Sequence, residues 1–184
     1  MTDGLARRIP PLTDPPAETL EILAKGLSWN GSPLNMPQTL AHHPKLLKRF
    51  TVFAATFLTH SVLPDRDREL LTLRAAARFG TPYYFGHHIE TARAAGLTDA
   101  EIESAATGAD TFTGTDGLLI DLVGQLAEAT DINDDLWAAL ASHYDEAQCI
   151  EAVFLVGFYR MLAGFVNVAR VEPEPGLPSW PPTT

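Results

Sequence analysis

The sequence predicts an all-α fold, and three observations predict it. Apolar residues recur at steps of three and four over long stretches. No segment alternates apolar with polar residues as a half-buried strand would, and the β-branched residues are scattered. Proline and glycine fall between the periodic stretches, where they punctuate helices.

The elements follow in order. Residues 1–16, with Pro10, Pro11, Pro15 and Pro16, read as an extended arm. Residues 17–170 read as a single helical domain, since 184 residues suit one core. Glu18 to Leu27 is a short helix. Pro37 to His60 forms two stretches broken near Pro44. Pro64 to Phe79 opens on Pro and Asp and stops at Gly80. Thr81 is placed to cap the next helix, with Pro82 in its first turn, and that helix ends at Gly96. Thr98 and Glu101 have the spacing of a capping box. Thr115 to Ala129 and Asn133 to Ser142 follow. The last helix runs from Asp145 to about Arg170. Its residues Ala147, Ile150, Phe154, Phe158, Met161, Phe165 and Val168 step by three and four, which predicts its apolar face. Residues 171–184, with five prolines, form a tail that is either draped over a body or left disordered.

Composition excludes several classes of function. The formal charge of −10 argues against nucleic acid, which needs clustered Lys and Arg. No uncharged run reaches the ~18 residues of a transmembrane helix, so no membrane partner is expected. The single cysteine, Cys149, permits no internal disulfide, and the default compartment is a reducing cytoplasm.

Chemistry concentrates between residues 69 and 88. Tyr84 and His88 are four apart and share a helical face, Tyr83 and His87 share the adjacent one, and Tyr84 and His87 are also neighbours. Imidazole exchanges protons near neutral pH, and a phenol can donate a hydrogen bond to a developing enolate oxygen. Glu69, one helix earlier, could orient an imidazole if the two helices fold back across Gly80 and Thr81. On density alone, a structural and a catalytic role for this cluster are equally weighted. Arg74, on the helix of Glu69, could hold a substrate carboxylate, although a structural ion pair suits it better. Tyr83 and Phe85 are further candidate substrate contacts. His87 and His88 project about 100° apart, so no metal site is expected. His42, His43, His60 and His143 read as structural or helix-end residues.

Three segments together resemble the core of the carboxymuconolactone decarboxylase family, which shares its fold with the alkylhydroperoxidase D-like proteins. They are Leu63-Pro-Asp-Arg-Asp-Arg-Glu-Leu-Leu-Thr-Leu-Arg74, Tyr84-Phe-Gly-His-His88 and Ala92-Arg-Ala-Ala-Gly-Leu-Thr-Asp-Ala-Glu-Ile102. The resemblance extends to Leu40-Ala-His-His-Pro44 and Val156-Gly-Phe-Tyr-Arg-Met161, covering about residues 35 to 172. The peroxidase branch carries a Cys-x-x-Cys-x-x-x-His motif and a relay glutamate. His88 and Glu69 match the last two, while Thr81 and Tyr84 stand where the cysteines would be. The resemblance therefore implies loss of thiol peroxidase activity. It implies instead a cofactor-independent decarboxylase, lyase or isomerase, acting on a small carboxylated lactone or keto compound through an enolate-like intermediate. His88, Glu69, Tyr84 and His87 would be its catalytic residues. The family's decarboxylases commonly carry Glu-Trp where this chain has Tyr84-Phe85, a departure that weighs against the family's original lactone as the substrate. The alternative is a non-catalytic ligand-binding or assembly protein on the same fold. The resemblance also implies a homo-oligomer, trimeric or hexameric, with the last helix and the tail as interface pieces.

Overall fold

In the computed structural model, residues 6–108 and 112–178 are described. Eleven short elements follow one another among them, and the fold is all-α apart from one two-stranded ribbon. The chain divides into two compact units. Residues up to His60 and again from Gly164 to Leu177 form the first, and Ser61–Ala163 form the body of the second.

The first unit holds α1 (Ala17–Ala24), β1 (Ser28–Trp29), β2 (Ser32–Pro33), α2 (Asn35–Leu40) and α3 (Pro44–Leu58). Leu23, Ala41 and Leu47 bury its small core, with Leu12, Ile22 and Leu40 against it. The ribbon was not expected from the sequence. Its two strands are too short to show alternation, but Asn30 and Gly31 between them both take positive φ, 50° and 81°. Asn-Gly is the pair that adopts such a turn at least cost. The break before α3 falls at His43, whose Nδ1 accepts the Leu46 amide, while His42 meets the Pro10 carbonyl. Both histidines thus tie backbone ends. Of the arm and the tail, residues 6–16 and 171–177 are held within this unit, while residues 1–5 and 179–184 lie outside the described residues. The Leu12 amide donates to the Gln38 carbonyl, Arg7 pairs with Glu172, and the Trp29 indole donates to the Pro175 carbonyl. The buried Glu174 carboxylate accepts the Asn35 amide at 2.6 Å.

The second unit is built on α4 (Asp65–Arg78), which packs on α5 (Pro82–Ala94), α6 (Asp99–Thr107) and α7 (Gly114–Glu128). A helix with three neighbours must bury most of its middle turns, although its ends carry Asp65, Arg66, Asp67, Arg68 and Arg78. Leu70, Leu71, Leu73, Ala75 and Ala76 are fully buried, and Glu69 and Thr72 are buried beside them. Gly80, at φ 66°, turns the chain between α4 and α5. Thr81 occupies the N-cap position of α5 as expected, but its hydroxyl makes no cap bond and is buried without a hydrogen-bond partner among the described residues. The capping box at Thr98 and Glu101 is complete, with both reciprocal bonds made. Glu101 also meets Arg66 at 2.5 Å, and Arg66 reaches Asp116 on α7 at 2.7 Å. One guanidinium therefore joins α4, α6 and α7. These contacts hold the Glu101 carboxyl down to about 2, with the Arg66 hydrogen bond the largest cause. Asn133 caps α8 (Asp134–Ala141) through the Leu136 amide.

The last helix, α9, spans Glu146–Ala169. Its apolar face is not the one expected. Ala147, Ile150, Phe154, Met161 and Val168 lie exposed, Phe165 is half-buried, and only Phe158 of that stripe is buried. The buried stripe is Cys149, Ala152, Val156, Tyr159 and Ala163, with Leu155 and Leu162 beside it. Both stripes obey the same period, so spacing could not choose between them. α9 is also the one helix among the described residues long and apolar enough to cross a membrane, which corrects the expectation of none. More than half of its apolar stretch is buried inside the fold. Its Glu151 is buried too, accepting from the Ser61 hydroxyl and the Val62 amide.

Candidate functional site

Three helices of the second unit bring four polar side chains into one line. Glu69 comes from α4, one helical turn after the N-terminus that Asp65 and Asp67 stabilise. His88 comes from the buried face of α5, and Tyr159 from the buried stripe of α9. Glu69 Oε2 lies 2.7 Å from His88 Nδ1. Tyr159 Oη lies 2.8 Å from His88 Nε2. On the other side, Arg68 Nε and Nη2 donate to Glu69 Oε1 at 3.2 and 3.0 Å, and Arg68 Nη1 reaches Asp65 at 2.6 Å.

Burial gives this line its character. Glu69 and Tyr159 are each 2% exposed and His88 is 8% exposed. Burial alone would raise the Glu69 carboxyl, but hydrogen bonds and charge from His88 and Arg68 outweigh it and hold the carboxyl below its ordinary value. Glu69 is therefore an anion, and His88 Nδ1 carries a proton toward it. In the neutral ring Nε2 then accepts from the Tyr159 hydroxyl, and in the imidazolium it donates to the phenol oxygen. The Tyr159 phenol itself is pushed well above the ordinary tyrosine value, first by burial and then by the Glu69 charge. A hydrogen bond from Thr72 offsets part of that rise. The result is a proton line with a fixed anion at one end and a neutral phenol at the other.

Aromatic rings surround the phenol end. Tyr84 meets Tyr159 edge-on at 5.6 Å, Tyr83 meets Tyr84 at 5.1 Å, and His87 lies 4.7 Å from Tyr83. Glu69, His88 and Tyr84 thus come together around Tyr159, and His87 stands at the far end of the ring series, half-buried. Phe85 is 1% exposed. Arg74 points elsewhere: its Nη1 donates to the Ala105 carbonyl near the end of α6, and its guanidinium packs against Gly108. Arg74 acts there on helix-end carbonyls.

Sequence reasoning missed Tyr159, Arg68 and Thr72. A signal for Tyr159 existed: a tyrosine four residues from Leu155 and three from Val156 on a buried stripe needs a partner for its hydroxyl. That signal needs the buried stripe of α9 to be known first, and the apolar spacing does not distinguish it from the exposed one.

Comparison with known proteins bears on residues 44–128 and on the fold. The profile of the carboxymuconolactone decarboxylase family matches residues 44–128, the segment that holds Glu69 and His88. No curated protein matches the sequence. Solved structures share the fold along nearly the whole chain. An uncharacterized peroxidase-related protein from Silicibacter sp. TM1040 superposes with a TM-score of 0.78 at 17% identity, covering 91% of each chain. An uncharacterized peroxidase-related protein with an alkylhydroperoxidase AhpD core, from Ralstonia eutropha JMP134, gives 0.76 at 18% identity, over 94% of this chain and 96% of that one. The debrominase Bmp8, solved as a cysteine-to-alanine variant with 2,3,4-tribromopyrrole, gives 0.74 at 17% identity, over 94% and 95%. At these identities the likeness speaks for the fold. The carboxymuconolactone decarboxylase family profile thus lies over residues 44–128, which hold Glu69 and His88, and the likeness in fold to alkylhydroperoxidase D-like proteins extends along nearly the whole chain.

Proposed function

We propose that this chain is a cofactor-independent acid–base enzyme, a decarboxylase, lyase or isomerase. Its substrate would be a small carboxylated lactone or keto compound that reacts through an enolate-like intermediate. The buried Glu69–His88–Tyr159 line is the observation that carries this reading. In decarboxylation the bond to the carboxylate carbon breaks and its electron pair enters the enolate. Tyr159, at the phenol end of the line, then gives its proton to the carbanion carbon while imidazolium His88 returns one to the phenol oxygen. Glu69 stays ionised and stabilises the imidazolium before transfer. Tyr84, ring-on-edge against Tyr159, is the candidate hydrogen-bond donor to the enolate oxygen. Run backwards, the same line removes an α-proton, which serves tautomerisation or β-elimination.

Thiol chemistry has little support. Cys149 is buried, and its thiol is pushed up first by burial and then by the charges of Asp145 and Glu146. A nucleophilic thiolate needs the reverse environment. Bmp8 and the peroxidase-related proteins show that one fold hosts several chemistries, so the reading rests on the side chains rather than on the fold. The reducing compartment suggested by the lone cysteine remains part of the proposal.

The test is NMR in D₂O on a panel of unsaturated keto acids and lactone acids. Wild type is expected to release CO₂ or incorporate α-deuterium, with His88→Ala lowering the rate by roughly 10²–10⁴-fold at unchanged fold. Turnover equal in wild type and His88→Ala would rule the mechanism out. A compound that binds specifically and is recovered unchanged would favour a binding protein.

A further inference from the structure

The bond between Tyr159 and His88 also has the form needed for one-electron oxidation of a phenol. A phenol that loses an electron becomes a strong acid, and in a buried site the proton must leave with the electron, because an unsolvated radical cation is costly. The acceptor is in place: His88 Nε2 stands 2.8 Å from the hydroxyl, and Glu69, 2.7 Å from Nδ1, stabilises the resulting imidazolium. A route for the electron is in place as well. The rings of Tyr159, Tyr84 and Tyr83 succeed one another at 5.6 and 5.1 Å, and Tyr83 lies 4.7 Å from the half-buried His87. Rings in contact pass an electron without admitting the oxidant to the core. Burial of Tyr159 at 2% exposure keeps the radical from coupling with another.

We infer that Tyr159 is a redox-active tyrosine, oxidised through the Tyr84 and Tyr83 rings by an oxygen-centred organic radical, with its proton passed to His88. The Tyr159 O–H bond breaks and an N–H bond forms at His88 Nε2. The electron reduces R–O• to R–O⁻, which takes a proton from water to give R–OH and hydroxide; from an alkylperoxyl radical the product is the hydroperoxide. The products are a neutral tyrosyl radical and imidazolium. One electron from a reductant such as ascorbate reverses the step, returning the proton from Nε2 to the phenol. This activity goes beyond the acid–base reading and does not rest on it, since no carbon acid need be turned over.

The test exposes the full chain to alkylperoxyl radicals from a water-soluble azo initiator and reads the freeze-quenched electron paramagnetic resonance spectrum. Wild type is expected to give a neutral tyrosyl signal that Tyr159→Phe abolishes and Tyr144→Phe keeps. His88→Ala should form it roughly tenfold more slowly, the rate equivalent of one lost buried hydrogen bond. Absence of a tyrosyl signal in wild type, or its persistence in Tyr159→Phe, would overturn the proposal. Should Tyr159→Phe fail to fold, electron–nuclear double resonance on ¹⁵N-histidine-labelled wild type decides. Coupling of the radical to a histidine nitrogen supports Tyr159, and a tyrosyl signal without that coupling overturns it.

Discussion

Glu69 is the residue on which the rest of the line depends. A carboxylate this deeply buried survives as an anion only because Arg68 and His88 occupy its two oxygens. Its folded value lies below the ordinary 4.5, so it contributes stability that is complete above about that pH. The contribution fades as the pH falls through the lower, folded value. Glu69→Gln, which leaves Arg68 beside a neutral amide, should cost about 3 kcal/mol at neutral pH. The gap between wild type and variant, measured by urea unfolding, should be constant from about pH 6 to 8 and shrink below about pH 4.5. A gap that widened on acidification would show that Glu69 folds as a protonated acid and that the line lacks its anion.

At the scale of elements, the end of α6 shows how a helix terminus is fixed from outside. Gly108 sits in the left-handed region at φ 73°, and a Cβ there would come 2.6 Å from Arg74 Nη1. Gly108→Ala therefore carries two penalties, about 1–2 kcal/mol of backbone strain and the displacement of a guanidinium that bonds the Ala105 carbonyl. In an Arg74→Ala background only the strain remains. A denaturation double-mutant cycle should show coupling of about 1 kcal/mol. Additive costs would mean that Arg74 moves aside freely and contributes nothing to that helix end. The elements themselves were largely legible in the sequence, because caps and breakers are local. Thr98 with Glu101, Asn133, Pro44 and Gly80 act within a few residues of themselves, and every long helix stands within a few residues of its expected ends. What depends on a neighbour was not legible. The capping hydroxyl of Thr81 was misjudged because its burial is set by other helices. On α9 both stripes are apolar, and only the packing of the second unit selects the one with Tyr159. Half of the proton line, Glu69 and His88, was visible as residue types at a short separation. Its phenol end lies 71 residues further on and needed the fold.

At the scale of the whole molecule, the stripe that α9 leaves outside is unusual for a protein carrying a net charge of −10. Ile150 is 60% exposed, Phe154 57% and Met161 54%, with Val153 beside them and open space over Gly157. Their spacing of four, three and four makes one seam about three turns long, uncharged along its crest. Each large apolar side chain left in water forgoes roughly 1.5 kcal/mol or more of burial free energy. A second copy presenting the same seam would bury both without opposing charges, and a glycine at its centre permits close approach of the two helices. The homo-oligomer implied by the family resemblance would then form along α9. Sedimentation equilibrium at micromolar concentration should give a mass that is a multiple of the 20.0 kDa chain. Phe154→Glu combined with Met161→Glu should reduce it to the single-chain mass while the far-ultraviolet circular dichroism stays helical, since neither side chain is buried in the fold. A wild type that is monomeric at these concentrations, or an oligomer that survives both substitutions, would move the interface away from α9.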